Sequence, residues 1–499
     1  MHRHRLPALA VTIGIGLLLS CGTREVSVAA EEGQVCGDES GGESGTCARG
    51  FRCEPVAGGE GEKVCALPLL IRGEVLNALT GEPVRGALVM ALDGTGAPVS
   101  DTATSDSRGS YELELAALRD YDGQLAGDAA YTLQVFAQDY APFPFGVRPA
   151  MPINADERVR ESTPGGGLSG DSSERFVLET ETTTVPLLPL DDKDQDRRGT
   201  IHGTIPRTDN TGDLSEGLVV AGTLVVAEGA DIPAPYGIAD RSGEFTIFNV
   251  SPGSVTVSGY RAGIELSPLA VDVTAGSTRE AELSVTAHGD ALASVRGTAG
   301  LIDDAAGTVE VGAVLIPFAV FHPGLGRGPV PVGLRVATDA AGDFTISEVP
   351  AGRYRLALSL ENDALIGDPA SAERREITVA SGETLTLPDS LPLTNALAVI
   401  SPGSDAPQAV SGKPTFEFAG DADENRYVVV LYDGRGELVW EKKNVVSVGD
   451  ATTVEVKYGG PKLVPGMWFQ FSATSVQGKQ DAEIRLSRTE DLRGVFFAE

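Results

Sequence analysis

The amino-acid sequence predicts an all-β protein made of tandem sandwich modules that follow a small disulfide-rich segment. Glycine (61 residues) and proline (30) are abundant and methionine is rare (4), which suits turn-rich β structure better than helical bundles. From Leu67 onward, short segments alternate apolar with polar residues, which is the period of half-buried strands. One turn motif also recurs three times ahead of a similar strand, and such self-similarity indicates repeated modules.

The start of the chain has the features of a secretion signal. A basic segment at 1–5 precedes an apolar run at 6–19, which is shorter than the roughly 20 residues that a membrane-spanning helix needs. The run ends in Leu18-Leu19-Ser20-Cys21, which resembles the bacterial lipobox. An ordinary signal peptide with a chance cysteine is the alternative interpretation.

The lipobox resemblance implies a membrane anchor. It implies that 1–20 is removed as a lipoprotein signal peptide, that the Cys21 thiol is alkylated with diacylglycerol, and that 21–35 is a lipidated tether. Each buried CH₂ of an acyl chain such as palmitate contributes about 0.8 kcal/mol, so two or three chains hold a protein firmly. Gly22 follows the cysteine in place of the aspartate that retains lipoproteins at the inner membrane, which favours the outer membrane or cell surface.

The charge balance argues against nucleic acid as a partner. Lysine and arginine number 39 against 71 aspartates and glutamates, and the formal net charge is −32. A chain this acidic repels DNA, RNA and anionic lipid surfaces, and its basic residues form no cluster in the sequence. We therefore expect contact with the membrane through the acyl chains on Cys21.

Four cysteines lie close together: Cys36, Cys47, Cys53 and Cys65. Small secreted segments of this kind rely on disulfides, each worth about 2 to 4 kcal/mol, and four cysteines allow three pairings. A zinc site is the competing interpretation, but the segment has no Cys-x-x-Cys motif and no nearby histidine. The pattern around Cys47 and Cys53 resembles small knotted extracellular modules, and this resemblance implies that Cys36 pairs with Cys53 and Cys47 with Cys65.

The recurrent motif reads Asp-x-x-Gly-polar-aromatic-x-aliphatic and occurs at 106–113, 240–247 and 339–346. We expect the aspartate to accept backbone hydrogen bonds across a tight turn and the glycine to supply a positive φ. The aromatic and aliphatic residues, two apart, should enter the same face of a sheet. We interpret the conserved spacing as structural, with these turn residues: Asp106, Gly109, Asp240, Gly243, Asp339 and Gly342.

Two family resemblances follow from longer patterns. The segments Gly73-Glu-Val75 and Thr80–Val89 resemble the opening of carboxypeptidase regulatory-like modules, whose fold is a transthyretin-like sandwich. The last hundred residues, with Tyr427–Tyr432 and Leu463–Phe471, resemble a fibronectin type III-like, Ig-like sandwich, although Phe469 stands where that family has a corner tyrosine. The implied modules are a cysteine-rich module at 36–66, regulatory-like sandwiches at 67–190, 199–287 and 292–393, and a fibronectin-like sandwich at 397–499.

The sequence offers no catalytic constellation. The regulatory-like modules accompany zinc carboxypeptidases, but the His-x-x-Glu motif of that catalytic domain is missing. The mature histidines, His202, His288 and His322, stand far apart in sequence, and the chain has no Gly-x-Ser-x-Gly elbow, Walker loop or dinucleotide fingerprint. We therefore expect no enzymatic activity and no cofactor.

Two acidic clusters are weak calcium candidates. Asp192, Asp194 and Asp196 alternate as in a calcium loop, but Arg197 stands where such a loop needs glycine, so a solvated linker is the favoured interpretation. A second set of carboxylates lies at 421–424.

Trp468 and Trp440 are candidates for ligand stacking. Strand alternation places Trp468 on the face opposite Phe469, and exposed aromatic rings can stack on sugar rings. Packing of Trp468 against a neighbouring module is the alternative.

These observations favour a non-enzymatic, lipid-anchored cell-envelope protein that acts as a binding or scaffold stalk, with a carbohydrate or another surface protein as ligand. An accessory factor of an envelope hydrolase and a calcium-stabilised adhesin are the alternatives. We also expect each sandwich to have a separate core and to unfold largely on its own.

Overall fold

Strands make up nearly all the regular structure in the part of the chain that the computed structural model describes. The all-β fold class is confirmed, because tandem sandwiches follow an N-terminal segment with disulfides. The predicted signal peptide, Cys21 and most of the predicted tether lie outside the described residues. The described residues are 32–36, 47–59, 61–126, 129–163, 173–191, 193–195, 197–207, 219–301, 311–360, 364–421, 426–446, 452–478 and 483–499.

The cysteine-rich segment folds as a small antiparallel sheet. Its strands are β1 (Val35–Cys36), β2 (Arg52–Pro55) and β3 (Lys63–Ala66). Their order is β1-β3-β2. Disulfides join Cys36 to Cys53 and Cys47 to Cys65, which is the pairing that the resemblance to knotted modules implies.

A buried ion pair docks this sheet on the first sandwich. Arg119 Nε lies 2.6 Å from Glu54 Oε2, and the two residues are 1% and 4% exposed. Arg119 Nη2 also donates to the Leu67 carbonyl at 2.9 Å. Burial raises the pKa of Glu54 in spite of its cationic partner. Removal of either partner would leave an uncompensated buried charge, at a cost of about 3 to 5 kcal/mol.

The first module packs two sheets face to face. Its strands are β4 (Leu69–Asn77), β5 (Leu88–Leu92), β6 (Ala103–Thr104), β7 (Ser110–Leu115), β8 (Ala130–Phe136), β9 (Ile153–Asn154), β10 (Val159–Thr163), β11 (Ser173–Leu178) and β12 (Val185–Leu187). One sheet has the order β10-β11-β4-β12 with β7 added to β4, and the other has the order β6-β5-β8-β9. Alternate residues of these strands, such as Ile71, Val89 and Leu133, fill the space between the sheets.

The second module repeats this plan. Its strands are β13 (Gly199–Thr204), β14 (Leu224–Glu228), β15 (Tyr236–Ile238), β16 (Glu244–Val250), β17 (Gly253–Arg261), β18 (Ile264–Leu266), β19 (Leu269–Val273), β20 (Thr278–Glu282) and β21 (Val285–His288). The sheet orders are β16-β13-β20 and β15-β14-β17-β18-β21, with β19 paired to β17.

The third module has the same central arrangement. Its strands are β22 (Ala293–Leu301), β23 (Val311–Pro317), β24 (Arg335–Ala337), β25 (Asp343–Val349), β26 (Gly352–Leu360), β27 (Leu365–Gly367), β28 (Glu376–Val379), β29 (Thr384–Thr386) and β30 (Leu391–Asn395). The sheet orders are β25-β22-β30-β27, with β29 on β22, and β24-β23-β26-β28.

The fourth module is a sandwich of a different strand order. Its strands are β31 (Val399–Ser401), β32 (Gln408–Val410), β33 (Thr415–Ala419), β34 (Arg426–Asp433), β35 (Leu438–Val445), β36 (Thr453–Lys457), β37 (Trp468–Gln477), β38 (Ile484–Arg488) and β39 (Val495–Ala498). The sheet orders are β31-β33-β36 and β32-β39-β37-β34-β35, with β38 on β37.

Short 3₁₀ helices elsewhere in the described chain are Ala155–Glu157, Glu181–Thr183, Gly289–Ala291, Phe318–Val320 and Pro369–Arg375.

The recurrent turn has the same geometry in each predicted copy. In the third copy, Asp339 Oδ1 accepts the N–H groups of Ala341 and Asp343 at 2.8 and 2.9 Å. The glycine follows in the left-handed region, with φ of +78° at Gly109, +88° at Gly243 and +84° at Gly342. The first and second copies have the matching aspartate bonds, so these turn residues are placed as the motif predicts.

Three more copies of the turn lie outside the recurrent motif, because the residues that follow them lack the aromatic-x-aliphatic pattern. They begin at Asp93, Asp120 and Asp433, and in each the aspartate carboxylate accepts the same two backbone N–H groups. A search for Asp-x-x-Gly alone would have found them. The turn is therefore a general device for closing hairpins in this chain.

The second module docks on the first through Asn249. This residue lies in β16 with φ of +61°, and its side chain reaches the loop after β8. Its Oδ1 accepts the Asp139 N–H at 2.7 Å and a Gln138 Nε2 hydrogen at 3.1 Å. Its Nδ2 donates to the carbonyls of Tyr140 and Ala137 at 2.8 and 3.2 Å. The amide is thus fully used across the module boundary.

The third module docks on the second in a related way. Glu348 lies in β25, has φ of +55°, and its carbonyl accepts the Gly263 N–H at 3.0 Å. Tyr354 packs edge-on against Tyr260 of the second module, and its hydroxyl donates to the Pro350 carbonyl. Buried residues of both modules belong to one continuous apolar cluster. The interior of the second module, with Ile201, Val225 and Phe245, forms a core cluster of its own. Its outer face, with Leu224 and Val226, is the part that joins the core of the third module.

The fourth module contacts the first module, so that the contacts between modules form a closed circuit. Residues 188–191 leave β12 and pair with the loop at 139–141, where the Ala141 N–H donates to Leu188 O at 2.9 Å. The Leu188 side chain is 1% exposed and belongs to the apolar core of the fourth module. Arg435 of that module donates to the Pro189 carbonyl at 2.8 Å and forms an ion pair with Asp191. We name 188–198 the strap.

We expect Gly342→Ala to destabilise the chain more than a glycine replacement in open space. An added Cβ at Gly342 would lie 2.2 Å from the Ala299 carbonyl oxygen, in addition to the strain of φ +84°. The strain alone costs about 1 to 3 kcal/mol. Gly412→Ala is the matched control, because Gly412 has φ of +78° and nothing within 4 Å of an added Cβ.

The free energies of unfolding of both variants, measured by chemical denaturation, provide the test. The Gly342→Ala variant should lose clearly more than the Gly412→Ala variant. Equal losses would mean that the close approach to Ala299 carries no cost.

Candidate functional site

A deep cleft lies between the third and fourth modules. Its volume is about 720 Å³. One wall is formed by the 3₁₀ helix Phe318–Val320, the following residue Phe321, and β26. The floor is the outer face of the sheet that contains β34, β35, β37 and β38.

Strand alternation explains which side chains form the floor. In β34, Tyr427, Val429 and Leu431 are fully buried in the fourth module, so Val428 and Val430 point to the opposite face and line the cleft. In β37, Ser472 and Thr474 line the cleft in the same way. The floor is consequently a mixture of apolar and hydroxyl side chains.

Positive charge dominates the lining of the cleft. The cationic side chains are Arg355, Arg375, Lys443, Arg485 and Arg488, and the acidic ones are Glu441 and Glu483. Glu441 is paired with Lys443 at 3.3 Å, and Glu483 is paired with Arg426. The absence of a basic cluster in the sequence is therefore misleading, since the fold assembles one from two modules.

Arg375 is a partly buried member of this group. Its Nη2 donates to neutral acceptors, the Asp368 carbonyl at 2.6 Å and Ser371 Oγ at 3.0 Å. Its Nε is buried and has no hydrogen-bond partner among the described residues. Burial, reinforced by the nearby charges of Arg355 and Arg488, lowers the pKa of Arg375 to about 10, so it stays charged at neutral pH.

A second, smaller cavity of about 280 Å³ lies where all four modules meet. Tyr140, Asn249, His322 and Arg435 line it, one from each module in chain order. Its charges neutralise each other within the structure. Arg198 of the strap lies 3.3 Å from both Asp194 and Asp231, and Arg435 is paired with the strap.

His322 links the third module to the fourth at this junction. Its Nδ1 accepts the Leu325 N–H at 3.1 Å, so the ring proton lies on Nε2, which donates to the Gly436 carbonyl at 2.8 Å. The ring also packs edge-on against Tyr432 at 5.9 Å. Burial, with a smaller contribution from Arg327, lowers the pKa of His322 below its ordinary value of 6.5. The other described histidine with a side-chain bond, His202, contacts the Thr246 hydroxyl.

Both tryptophans, the candidates for ligand stacking, contact other side chains of the protein. Trp440 is half-buried and packs against Tyr458 and Phe416 of its own module, with ring centroids at 5.3 and 5.9 Å. Trp468 is half-buried against Phe497, and Arg148 of the first module lies 6.0 Å from its ring centroid. The geometry matches the packing alternative for Trp468.

The calcium candidates are dispersed or paired with cations. Asp192 and Asp196 lie outside the described residues, and Asp194 is bound to Arg198. In the second cluster, Asp421 Oδ2 accepts the Ser475 hydroxyl at 2.7 Å, and residues 422–425 lie outside the described part. Residues 188–191, which precede the first cluster, are docked on the fourth module.

Among the described residues, the tight group of metal-type ligands consists of Cys36, Cys47 and Cys53, whose sulfur atoms lie within 4.8 Å of one another. All three are in disulfides and cannot act as thiolate ligands. In the described chain, no helix is long and apolar enough to cross a membrane.

The comparisons with known proteins are distant. No protein family matches the sequence, and no curated protein does. The TIE protein of Bacillus anthracis is 10% identical, with 83% of this chain and 68% of that chain covered and a TM-score of 0.17. BcpA, the major pilin subunit of Bacillus cereus, is 10% identical, with 66% and 100% covered and a TM-score of 0.16. Two B repeat units of the collagen binding protein of Staphylococcus aureus are 11% identical, with 86% and 99% covered and a TM-score of 0.16.

We expect His322 to make the stability of the chain depend on pH. Its pKa in the folded state lies below the 6.5 of the unfolded chain, so the unfolded chain takes up the proton first as the pH falls. The stabilisation is complete above pH 6.5 and is lost between that value and the folded-state pKa.

The measurement is the free energy of unfolding between pH 7.5 and 5.5 for the wild type, His322→Gln and His288→Gln. His288 is exposed and serves as the control. The His322→Gln variant should show a shallower slope than the wild type, and His288→Gln should not. Identical slopes for all three proteins would show that His322 is not the titrating group.

Proposed function

We propose that this protein is a lipid-anchored, non-enzymatic binding or scaffold protein of the cell envelope. The observation that carries the proposal is the closed circuit of four sandwiches, which forms one compact head and leaves a large cleft open between its third and fourth modules. A head fixed by contacts at every module boundary can hold a ligand-binding surface in one shape. Preorganisation of this kind favours binding because little flexibility is lost.

The side chains of the cleft support binding in place of catalysis. The cleft offers guanidinium groups, hydroxyls and apolar surface, which recognise a ligand without a paired nucleophile and base. His322, the histidine nearest to the module junction, is committed to two backbone hydrogen bonds. A carbohydrate or another surface protein is the expected class of ligand.

The lipobox supports the anchor. Acyl chains on Cys21 would hold the protein in a membrane, and the following tether would connect them to the cysteine-rich sheet, which is fixed to the head by Arg119 and Glu54. We place the anchor at the outer membrane or cell surface. We keep the predicted module boundaries of 67–190, 199–287, 292–393 and 397–499 as part of the proposal.

Cys21→Ser should abolish lipid labelling. The variant should remain unprocessed and carry no palmitate analogue, because the acceptor thiol is gone. Ser20→Ala is the matched control, since it keeps a small residue before the cysteine, and it should be labelled and membrane-bound. Normal labelling of Cys21→Ser would refute the anchor.

The binding role is tested on the same protein without its anchor. The chain from Glu25 onward keeps every described residue. It should bind selected members of an array of glycans and envelope proteins, and should not bind after heat unfolding. If the folded chain bound nothing on the array, the binding role would be wrong.

A further inference from the structure

The cleft between the third and fourth modules concentrates cations in a chain whose formal net charge is −32. We propose that this cleft binds an anionic glycan, an oligosaccharide whose rings carry carboxylate or sulfate groups. The inference rests on the proposed binding function and names the ligand class of that site.

Charge complementarity is the first argument. Of the acidic residues in the lining, Glu441 is already paired with Lys443, and Glu483 with Arg426. The lining also carries the guanidinium groups of Arg355, Arg375, Arg485 and Arg488, of which Arg488 is paired with Asp491, so the cations of the lining outnumber its carboxylates by five to two. Guanidinium groups bind carboxylates and phosphates in bidentate geometry, so the cleft has the donors that an anionic ligand needs.

Mutual repulsion is the second argument. The nearby charges of Arg355 and Arg488 disfavour the protonated form of Arg375, and those of Asp368 and Asp491 offset this only in part. Such a group of like charges costs stability in a partly buried site, and a bound anion would offset that cost. Gly367 leaves space for the guanidinium group of Arg375, because a methyl group at position 367 would lie 2.3 Å from Arg375 Nη1.

The floor of the cleft favours a glycan over an acidic peptide. A peptide would bind most readily by adding a strand to a free sheet edge. A free edge of this sheet lies at β35, whereas β34 and β37 are paired with each other and present only their face to the cleft. A ligand on it meets side chains alone. These are the hydroxyls of Ser472, Thr474 and Tyr432, the apolar groups of Val428 and Val430, and the guanidinium groups. Such a set suits sugar rings that carry hydroxyl and acidic groups.

The size of the cleft agrees with a short oligosaccharide. Clefts that hold small ligands enclose roughly 300 to 1,000 Å³. The volume here is about 720 Å³. The cavity at the four-module junction is smaller, and its charges are paired within the strap and its neighbours.

The test uses the chain from Glu25 onward and isothermal titration calorimetry with four defined probes of equal length. They are an oligogalacturonate for carboxylate, a heparin-derived oligosaccharide for sulfate, a neutral maltooligosaccharide, and an oligoglutamate peptide. The comparison of the first two identifies the acidic group that the cleft prefers. We expect at least one acidic glycan to bind about tenfold or more tightly than the neutral one, because charged hydrogen bonds contribute on this scale.

The variant that tests the location is Arg355→Gln with Arg485→Gln. Its matched control is Arg85→Gln with Arg108→Gln, which removes the same charge from two exposed residues of the first module. The cleft variant should bind the acidic glycan about tenfold or more weakly, and the control should stay within about twofold of the wild type. Circular dichroism of both variants verifies that they fold.

Several results would overturn the inference. They are equal binding of neutral and acidic glycans, tightest binding of oligoglutamate, self-association that accounts for the heat signal, equal losses in both double variants, and no binding of any probe. If the array still gave ligands whose binding the cleft variant left unchanged, the inference alone would fail and the binding function would stand. If the array gave none, the binding function itself would fail.

Discussion

The side chain of Asn249 sets the position of the second module on the first, and the rest of the head depends on that placement. Asparagine tolerates the left-handed backbone at this bulge, and its amide satisfies four hydrogen-bonding groups of the loop after β8. Glu348 occupies a comparable left-handed position in the third module and contacts the second. A residue with a left-handed backbone conformation therefore lies at the contact of both the second and the third module with the preceding module.

The consequence of this repeated docking is a circuit that the strap can close. Leu188 enters the core of the fourth module, and Arg435 of that module binds the strap. With the boundary contacts in place, the outer face of β34 and β37 is turned toward the third module instead of bulk water. The cationic cleft thus results from the way the modules meet, since neither module alone carries its full set of arginines. Ligand binding and module docking should accordingly stabilise each other.

Local features of the structure could be predicted from the sequence, and contacts between modules could not. The turn at Asp339 and Gly342 follows from side-chain chemistry within a few residues, and alternation in β37 places Phe469 and Phe471 in the core. The same alternation puts Gln470 on the face opposite Phe469, yet Gln470 is 4% exposed, because Arg327 of the third module binds its side chain. The cleft could not be predicted from the sequence for the same reason, since its arginines lie far apart along the chain. The alternation of apolar and polar residues predicts on which face of a sheet a side chain lies, but it does not predict which other module packs against that face.

Closure of the four sandwiches into one head is the central claim, and the radius of gyration in solution tests it most directly. Small-angle X-ray scattering on the chain from Glu25 onward should give about 23 Å, the value for a compact chain of this length. The same modules in an extended row would give a value roughly twice as large. A radius near the larger value would contradict the docking by Asn249, the closure by the strap and the cleft that both create.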